Sequence, residues 1–290
     1  MNNNCKIIFH IGMPRTATTF LQKNIFPKLK NVNFINTGFY QHRLLTPELK
    51  KANETLLNLS RIPESTIKKN IDSYLVMDKI NLFSREQIYS DAGLNPMKNE
   101  SFEKRVKKIK KLKNIYPNSK IIFGIRNKDS LLKSYYIKYV MNGGTLLFSD
   151  YASKIQKDNR LNYDEYVKQL ISLFSKDNVY IYKFENLVKS RGLFVKELCE
   201  FIGTDIPIYE NIKRNKSYGK NRILLSLLLN RLFIVNNDKQ GFINIRSHGL
   251  LPHRLIFMSK IFNNYPKNRI DIIDLEKIEN QLSKWNFMKN

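Results

Sequence analysis

One thirteen-residue segment gathers the residue types that bind anionic groups. It reads HIGMPRTATTFLQ from His10 to Gln22, with an apolar run before the Gly-Pro turn and helical spacing after it. A strand, a loop and a helix start are therefore predicted, and a helix start presents free N–H groups and the positive end of a dipole. Arginine and threonine side chains add further hydrogen-bond donors. The expected phosphate-binding residues are Gly12, Pro14, Arg15, Thr16, Ala17, Thr18 and Thr19.

This segment departs from the loop of nucleotide-hydrolysing enzymes, whose pattern is G-x-x-x-x-G-K-[ST]. The Gly-Lys pair is missing, and Ala17 stands where glycine is common. The loss of the Lys-Ser/Thr pair argues against magnesium-dependent phosphoryl transfer. The alternative is a helix N-cap built from threonine after an ordinary strand and turn.

The segment resembles the 5′-phosphosulfate loop of the sulfotransferase family, whose pattern is roughly G-x-P-[KR]-[ST]-[GA]-T-T-x-L. The resemblance implies that 3′-phosphoadenosine 5′-phosphosulfate (PAPS) is the co-substrate. It also implies that the loop surrounds the 5′-phosphosulfate. No metal is expected, because the sequence has no metal-ligand spacing of cysteine and histidine. Many members have lysine where this chain has Arg15. Because arginine stays protonated at neutral pH, its implied role is electrostatic.

A second pair of residues matches the family's 3′-phosphate site. Arg126 follows the apolar run Lys120–Ile125, and Ser134 lies eight residues further on, in the next predicted helix. An arginine at the carboxyl end of a strand lies in the crevice where α/β folds bind ligands. By resemblance, Arg126 and Ser134 hold the 3′-phosphate of the donor.

Two later segments are similar to further parts of the family pattern. Tyr182–Leu187 followed by the run up to Gly203 is interpreted as scaffold, with Glu185 structural rather than catalytic. The basic segment RNKSYGK resembles a loop that closes over the donor's 3′-phosphate and adenine. Its candidate donor-binding residues are Arg214, Ser217, Gly219 and Lys220.

The acceptor needs a general base, for which two residues are candidates. Family members that act on carbohydrates generally use glutamate, and those that act on small phenols and alcohols generally use histidine. Glu86 lies just past a predicted strand, where the carbohydrate branch often has glutamate, and His42 follows on a predicted loop. His10, within the first strand, is interpreted as a satisfied core histidine. The predicted catalytic residues are Arg15, Glu86 and His42.

The elements that position these residues alternate between strand and helix. Strands are predicted at Lys6–Ile11, Val32–Ile35, Asn81–Ser84, Lys120–Ile125 and Asn178–Phe184. Helices are predicted at Thr16–Leu29, Ser130–Met141 and Leu193–Ile202. The alternation predicts an α/β fold with a mainly parallel, P-loop-like sheet flanked by helices.

The domain organisation follows from where strands stop. Residues 1–210 are expected to form the PAPS-binding core, and residues 211–290 a basic, helical extension without clear strands, packed on it.

Seven cations between residues 104 and 113 surround apolar residues at helical spacing, so they are expected to form the solvated face of a helix. The seven are Lys104, Arg105, Lys107, Lys108, Lys110, Lys111 and Lys113.

Composition bounds the remaining possibilities. The 290 residues carry 50 Lys+Arg against 25 Asp+Glu, and 42% are hydrophobic, which excludes a chain disordered throughout. Two cysteines far apart, with no long apolar segment at the start, favour a reducing, cytoplasmic location. The net charge of +25 favours anionic partners, including the nucleotide donor and a peripheral contact with a membrane.

The function expected from these observations is sulfuryl transfer from PAPS to a hydroxyl group of a carbohydrate or glycolipid. One alternative is a nucleotide-dependent kinase on the same fold. The other is a nucleic-acid-binding protein that is not an enzyme. Aromatic residues are not interleaved with the basic runs, so no specific nucleic-acid partner is expected.

Overall fold

The computed structural model describes residues 5–37, 47–90, 96, 100–157, 160–210, 219–234, 243–244 and 272–283. Through their contacts these residues fall into two compact units. The first unit takes the described residues of 5–90, 100–127 and 160–210. The second takes Pro96, residues 128–157 and the described residues from 219 onward.

The first unit is built on one parallel sheet. Its five strands lie in the order β2-β3-β1-β4-β5. They are β1 Lys6–His10, β2 Val32–Asn36, β3 Ile80–Ser84, β4 Lys120–Ile125 and β5 Val179–Lys183. β1 pairs with β3 and β4, and every pairing in the sheet is parallel. The central strands are almost wholly buried, as their apolar sequences predict.

The connecting segments of the first unit are helical. After β1 the chain forms a short α1, Thr18–Phe20, then a π-helical turn Leu21–Ile25 and a 3-10 turn Phe26–Lys28, which contains Pro27. The other helices are α2 Pro47–Leu57, α3 Glu64–Asp72, α4 Phe102–Ile115, α7 Tyr163–Phe174, α8 Phe184–Lys189 and α9 Arg191–Ile202. Gly203, with φ of 87°, caps α9 in the left-handed conformation.

The second unit is mainly helical. It contains α5 Lys128–Met141, α6 Phe148–Lys157, α10 Lys220–Leu232 and α11 Ile272–Ser283. α5 contacts α6 and α10, and α11 contacts α6 and α10. The sequence did not predict the two dipeptide strands β6 Phe233–Ile234 and β7 Ile243–Asn244, which pair in parallel. The predicted division at residue 210 stays a prediction.

The predicted α/β class is confirmed by the parallel sheet and its helical connections. One detail is wrong: two of the seven cations of α4 are not solvated. Arg105 and Lys108 are completely buried, because Lys108 forms a 2.7 Å ion pair with Glu100 and Arg105 donates to the Tyr89 hydroxyl at 2.8 Å. No helix of the described ranges is long and apolar enough to cross a membrane.

Candidate active site

The segments that carry Arg15 and Arg126 follow neighbouring strands. β1 and β4 are adjacent, but the chain passes from β1 towards β2 on one side and from β4 to β5 on the other. Such a reversal opens a crevice at the carboxyl ends of two parallel strands, which is where α/β sheets bind ligands. Arg15, in the loop after β1, and Arg126, directly after β4, both stand at this crevice.

The loop after β1 has an unusual backbone. Arg15 and Ala17 have φ angles of 72° and 68°, in the left-handed region that residues with a side chain rarely adopt. The Thr16 hydroxyl, which is fully buried between them, donates to the carbonyl of Met13 at 2.6 Å. Ala17 is the N-cap of α1, and its side chain cannot accept a hydrogen bond from the helix. Left-handed residues in such turns direct successive N–H groups to one side and form concave anion sites.

The loop is packed against β4 at a glycine. A Cβ atom on Gly124 would lie 2.3 Å from Cζ of Tyr182 and 2.7 Å from the Thr16 hydroxyl oxygen. Any other residue at 124 would therefore push the tyrosine or the loop away. The Met13 amide donates to the Gly124 carbonyl at 3.3 Å, which extends the β1–β4 contact into the loop.

A chain of buried polar groups lies behind the loop. His10 Nδ1 is 2.7 Å from the Ser84 hydroxyl, and His10 Nε2 is 3.3 Å from the Tyr182 hydroxyl. Gln22 donates to Ser84 at 2.9 Å, and the Tyr182 hydroxyl is 3.5 Å from that of Thr16. Burial lowers the pKa of His10 to about 3 and raises the pKa of Tyr182, so both are neutral at ordinary pH. The interpretation of His10 as a satisfied core histidine is confirmed.

Arg126 is fixed by contacts on several sides. Its guanidinium donates to the Arg15 carbonyl at 3.1 Å and lies 4.2 Å from the centre of the Phe184 ring. Its own carbonyl accepts a 3.0 Å hydrogen bond from the Tyr163 hydroxyl. The next amide, that of Asn127, donates to Glu185 at 3.0 Å, which agrees with a structural role for Glu185.

Glu86 lies beside the loop after β1. It begins a 3-10 turn, Glu86–Ile88, directly after β3, and its carboxylate accepts a hydrogen bond from the hydroxyl of Thr18. Burial raises the pKa of Glu86, while the Thr18 hydrogen bond and the charges of Arg85 and Arg15 act in the opposite direction. A carboxyl group with a raised pKa at a crevice is suited to accept a proton.

The remaining predicted residues fall into three groups: those in or beside the loop after β1, those in the second unit, and those outside the described ranges. Pro14 and Thr19 lie partly buried in the loop and in α1, and Gly12 is buried in the loop, two residues after β1. Ser134 is buried in α5 of the second unit, where Gly219 directly precedes α10 and Lys220 is its first residue. His42, Arg214 and Ser217 lie outside the described residues.

Sequence reasoning missed three residues that shape the crevice. Gly124, Tyr182 and Phe184 carry no pattern that marks them individually, because their roles depend on contacts between strands. The one local signal is that Tyr182 and Phe184 lie within the predicted scaffold segment Tyr182–Leu187. For a metal, the described part of the chain holds no group of three or more His, Cys, Asp or Glu residues that could bind one.

Comparison with known proteins gives a family. A sequence profile described as the sulfotransferase family matches residues 8–207, well over half of the chain. The chain therefore belongs to the sulfotransferase family, and the predicted enzyme class, a PAPS-dependent sulfotransferase, is confirmed. No curated protein sequence matches the chain significantly.

Several solved structures are similar. A sulfotransferase from Alicyclobacillus acidocaldarius is 13% identical, with a TM-score of 0.49, covering 77% of this chain and 92% of that one. Mouse sulfotransferase SULT7A1 complexed with PAP is 14% identical, with a TM-score of 0.41 and coverages of 95% and 89%. The sulfotransferase domain of the Synechococcus PCC 7002 olefin synthase is 13% identical, with a TM-score of 0.37 and coverages of 96% and 94%.

Proposed function

We propose that this protein transfers the sulfuryl group of PAPS to a hydroxyl group of a carbohydrate or glycolipid, with Glu86 as the general base. The observation that carries the proposal is the hydrogen bond from Thr18 to Glu86. It places a carboxylate with a raised pKa directly against the loop that would hold the phosphosulfate. A base at that position can reach an acceptor oxygen that approaches the sulfur.

The donor is proposed to lie along the β1–β4 crevice. Its 5′-phosphosulfate would contact the loop residues Gly12, Pro14, Arg15, Thr16, Ala17, Thr18 and Thr19. By the family resemblance, Arg126 and Ser134 are assigned to the 3′-phosphate, and Arg214, Ser217, Gly219 and Lys220 to the 3′-phosphate and adenine. The link from Arg126 to the Arg15 carbonyl supports this arrangement, because it couples the two proposed phosphate sites through one hydrogen bond.

The proposed reaction moves one sulfuryl group and one proton. The acceptor oxygen attacks the sulfur, and the bond between sulfur and the 5′-phosphate oxygen breaks. The electron pair of that bond leaves with adenosine 3′,5′-bisphosphate (PAP), while the acceptor proton passes to Glu86. Negative charge grows on the leaving phosphate, where Arg15 and the loop N–H groups would stabilise it.

The acceptor class depends on the base. Glutamate is the base expected for the carbohydrate branch, and the contact between Glu86 and Thr18 favours that branch. His42 remains the alternative base, and with it the acceptor class would move to small alcohols or phenols. The two alternative functions predict other ligands in the loop after β1. A kinase would bind ATP with Mg²⁺ there, and a nucleic-acid-binding protein would bind a nucleic-acid phosphate.

Ligand binding and transfer assays test the proposal together. Calorimetry and thermal shift should show stronger binding of PAP than of ATP with Mg²⁺, and a preference for ATP with Mg²⁺ would overturn the donor assignment. Incubation with PAPS and a panel of oligosaccharides, glycolipids and simple phenols should give sulfated products from the first two groups. Transfer to phenols alone would reject the proposed acceptor class while leaving the donor site intact.

A further inference from the structure

The hydroxyl group of Thr18 can donate its proton either to Glu86 or to an anion bound in the loop, but not to both. The residue is 2% exposed and is the first residue of α1, directly after the left-handed Ala17. Its hydroxyl already donates to Glu86. A threonine hydroxyl carries a single O–H donor, so it cannot donate to Glu86 and to an anion in the loop at the same time.

We propose that Thr18 is a positioning residue that holds Glu86 against the loop until the donor binds, and that the donor takes over the Thr18 hydroxyl and releases the carboxylate. The inference rests on the proposed function, since it assumes that the phosphosulfate occupies this loop. It adds a link between donor occupancy and the state of the base. Glu86 becomes a stronger proton acceptor only once the 5′-phosphate end of the nucleotide occupies the loop.

The charges and hydrogen bonds around Glu86 predict that its pKa rises when the donor binds. The charged and titratable groups that act on it are Arg85 at the end of β3 and Arg15 in the loop, and Tyr182 of β5 is close enough to feel its charge. Tyr182 stays neutral, because burial raises its pKa. The Thr18 hydrogen bond and both arginine charges lower the pKa of Glu86, against the effect of burial. A bound phosphosulfate withdraws the hydrogen bond and offsets the Arg15 charge, so the pKa of Glu86 rises on binding.

A rise in pKa on binding means that protons are taken up with the ligand. Calorimetric titration of PAP at a series of pH values, in buffers of different ionisation enthalpy, counts these protons. The wild-type protein should take up more protons per PAP than Glu86→Gln, because titration of the PAP phosphates is common to both. Thr18→Val, which lacks the hydroxyl, should lose about half or more of this excess, and Thr18→Ser should keep it.

A second measurement covers variants that bind PAP poorly. The pKa of Glu86 in the ligand-free protein, followed by carboxyl ¹³C NMR, should be higher in Thr18→Val than in the wild type and unchanged in Thr18→Ser. A merely structural role of Thr18 would not produce this pattern. An unchanged Glu86 pKa in Thr18→Val, or full proton uptake in Glu86→Gln, overturns the inference.

The inference and the proposed function fail in different ways. Normal turnover of Glu86→Gln would reject Glu86 as the base, even if proton uptake still depended on Thr18. Loss of turnover in Glu86→Gln, with equal proton uptake in the wild type and Thr18→Val, would keep the base and reject the coupling.

Discussion

The guanidinium of Arg126 donates a 3.1 Å hydrogen bond to the carbonyl oxygen of Arg15. The two arginines follow different strands and are 111 positions apart in sequence. The contact fixes one residue of the left-handed turn from across the crevice. A change at Arg126 can therefore act directly on a bound phosphate, or indirectly through the backbone of the loop.

Arg126→Ala should weaken PAP binding by about 1.5–3 kcal/mol, the scale of a hydrogen bond to a charged group. The same variant should lose much less affinity for adenosine 5′-monophosphate, which has no 3′-phosphate. Calorimetry with both nucleotides measures the difference. Lys183→Ala is the matched control, because this substitution also removes one positive charge. Lys183 is exposed and is paired in register with Ile125 on the neighbouring strand. Equal losses for both nucleotides would mean that Arg126 acts through the loop.

Arg15→Ala should lower turnover more than it weakens PAP binding, because charge grows on the leaving phosphate during transfer. Arg15→Lys should recover part of the rate, since it restores the charge without the forked donors. Both variants keep a Cβ at a φ of 72°, so the backbone strain is matched. Steady-state rates and PAP affinities are compared for the three proteins. Proportional losses of both quantities would make Arg15 a binding residue alone.

His10 should make the fold sensitive to acid. The unfolded chain binds a proton at His10 below a pH of about 6.5, whereas burial lowers the pKa of His10 to about 3 in the folded protein. Between these values the unfolded state holds the extra proton, so the free energy of unfolding falls as the pH falls. The contribution of His10 is fully present above a pH of about 6.5.

The size of this effect can be isolated with His10→Gln, which cannot titrate. One full proton of difference corresponds to a slope of about 1.4 kcal/mol per pH unit. Urea unfolding of both proteins from about pH 4 to about pH 7 should show the wild type losing stability faster than the variant towards acid. The raised pKa of Glu86 acts in the opposite direction and is common to both proteins. Parallel curves would show that His10 accepts a proton in the folded state.

Local patterns explain which parts of this site could be predicted. The apolar runs predict β1 and β4, and the Gly-Pro turn predicts the loop between β1 and α1. Both predictions succeed because strand and turn signals lie in short stretches of sequence. The left-handed conformations of Arg15 and Ala17 carry no such signal in these residue types. They are held by backbone and hydroxyl contacts that form only in the folded loop.

Contacts between distant segments explain the rest. His10 and Tyr182 are 172 positions apart, and no spacing rule joins them. In the sequence Gly124 is an ordinary strand residue, and only the folded structure shows that the Tyr182 ring leaves no room for a side chain there. Lys108 reads as a solvated lysine, because its ion pair with Glu100 depends on how the chain enters α4. Tertiary packing, rather than propensity, decides all three.

Glu86→Gln is the variant that decides the mechanism. Glutamine keeps the shape of the side chain and can still accept a hydrogen bond from Thr18, but it cannot take the acceptor proton. Turnover should fall by about 100-fold or more, the usual scale for loss of a general base. PAP affinity should not fall, because the substitution removes a negative charge that competes with the donor for the Thr18 hydroxyl.

The pH profile of turnover adds a second readout for Glu86. Because burial raises the pKa of Glu86, the low-pH limb of the wild-type profile should lie above the range of an ordinary carboxyl group, and it should disappear in Glu86→Gln. Glu185→Gln is the matched control, since Glu185 is exposed and accepts from the Asn127 amide. That control should keep both the rate and the limb. Near-normal turnover of Glu86→Gln together with an inactive His42→Ala would make His42 the base, and the acceptor would then be sought among small alcohols and phenols.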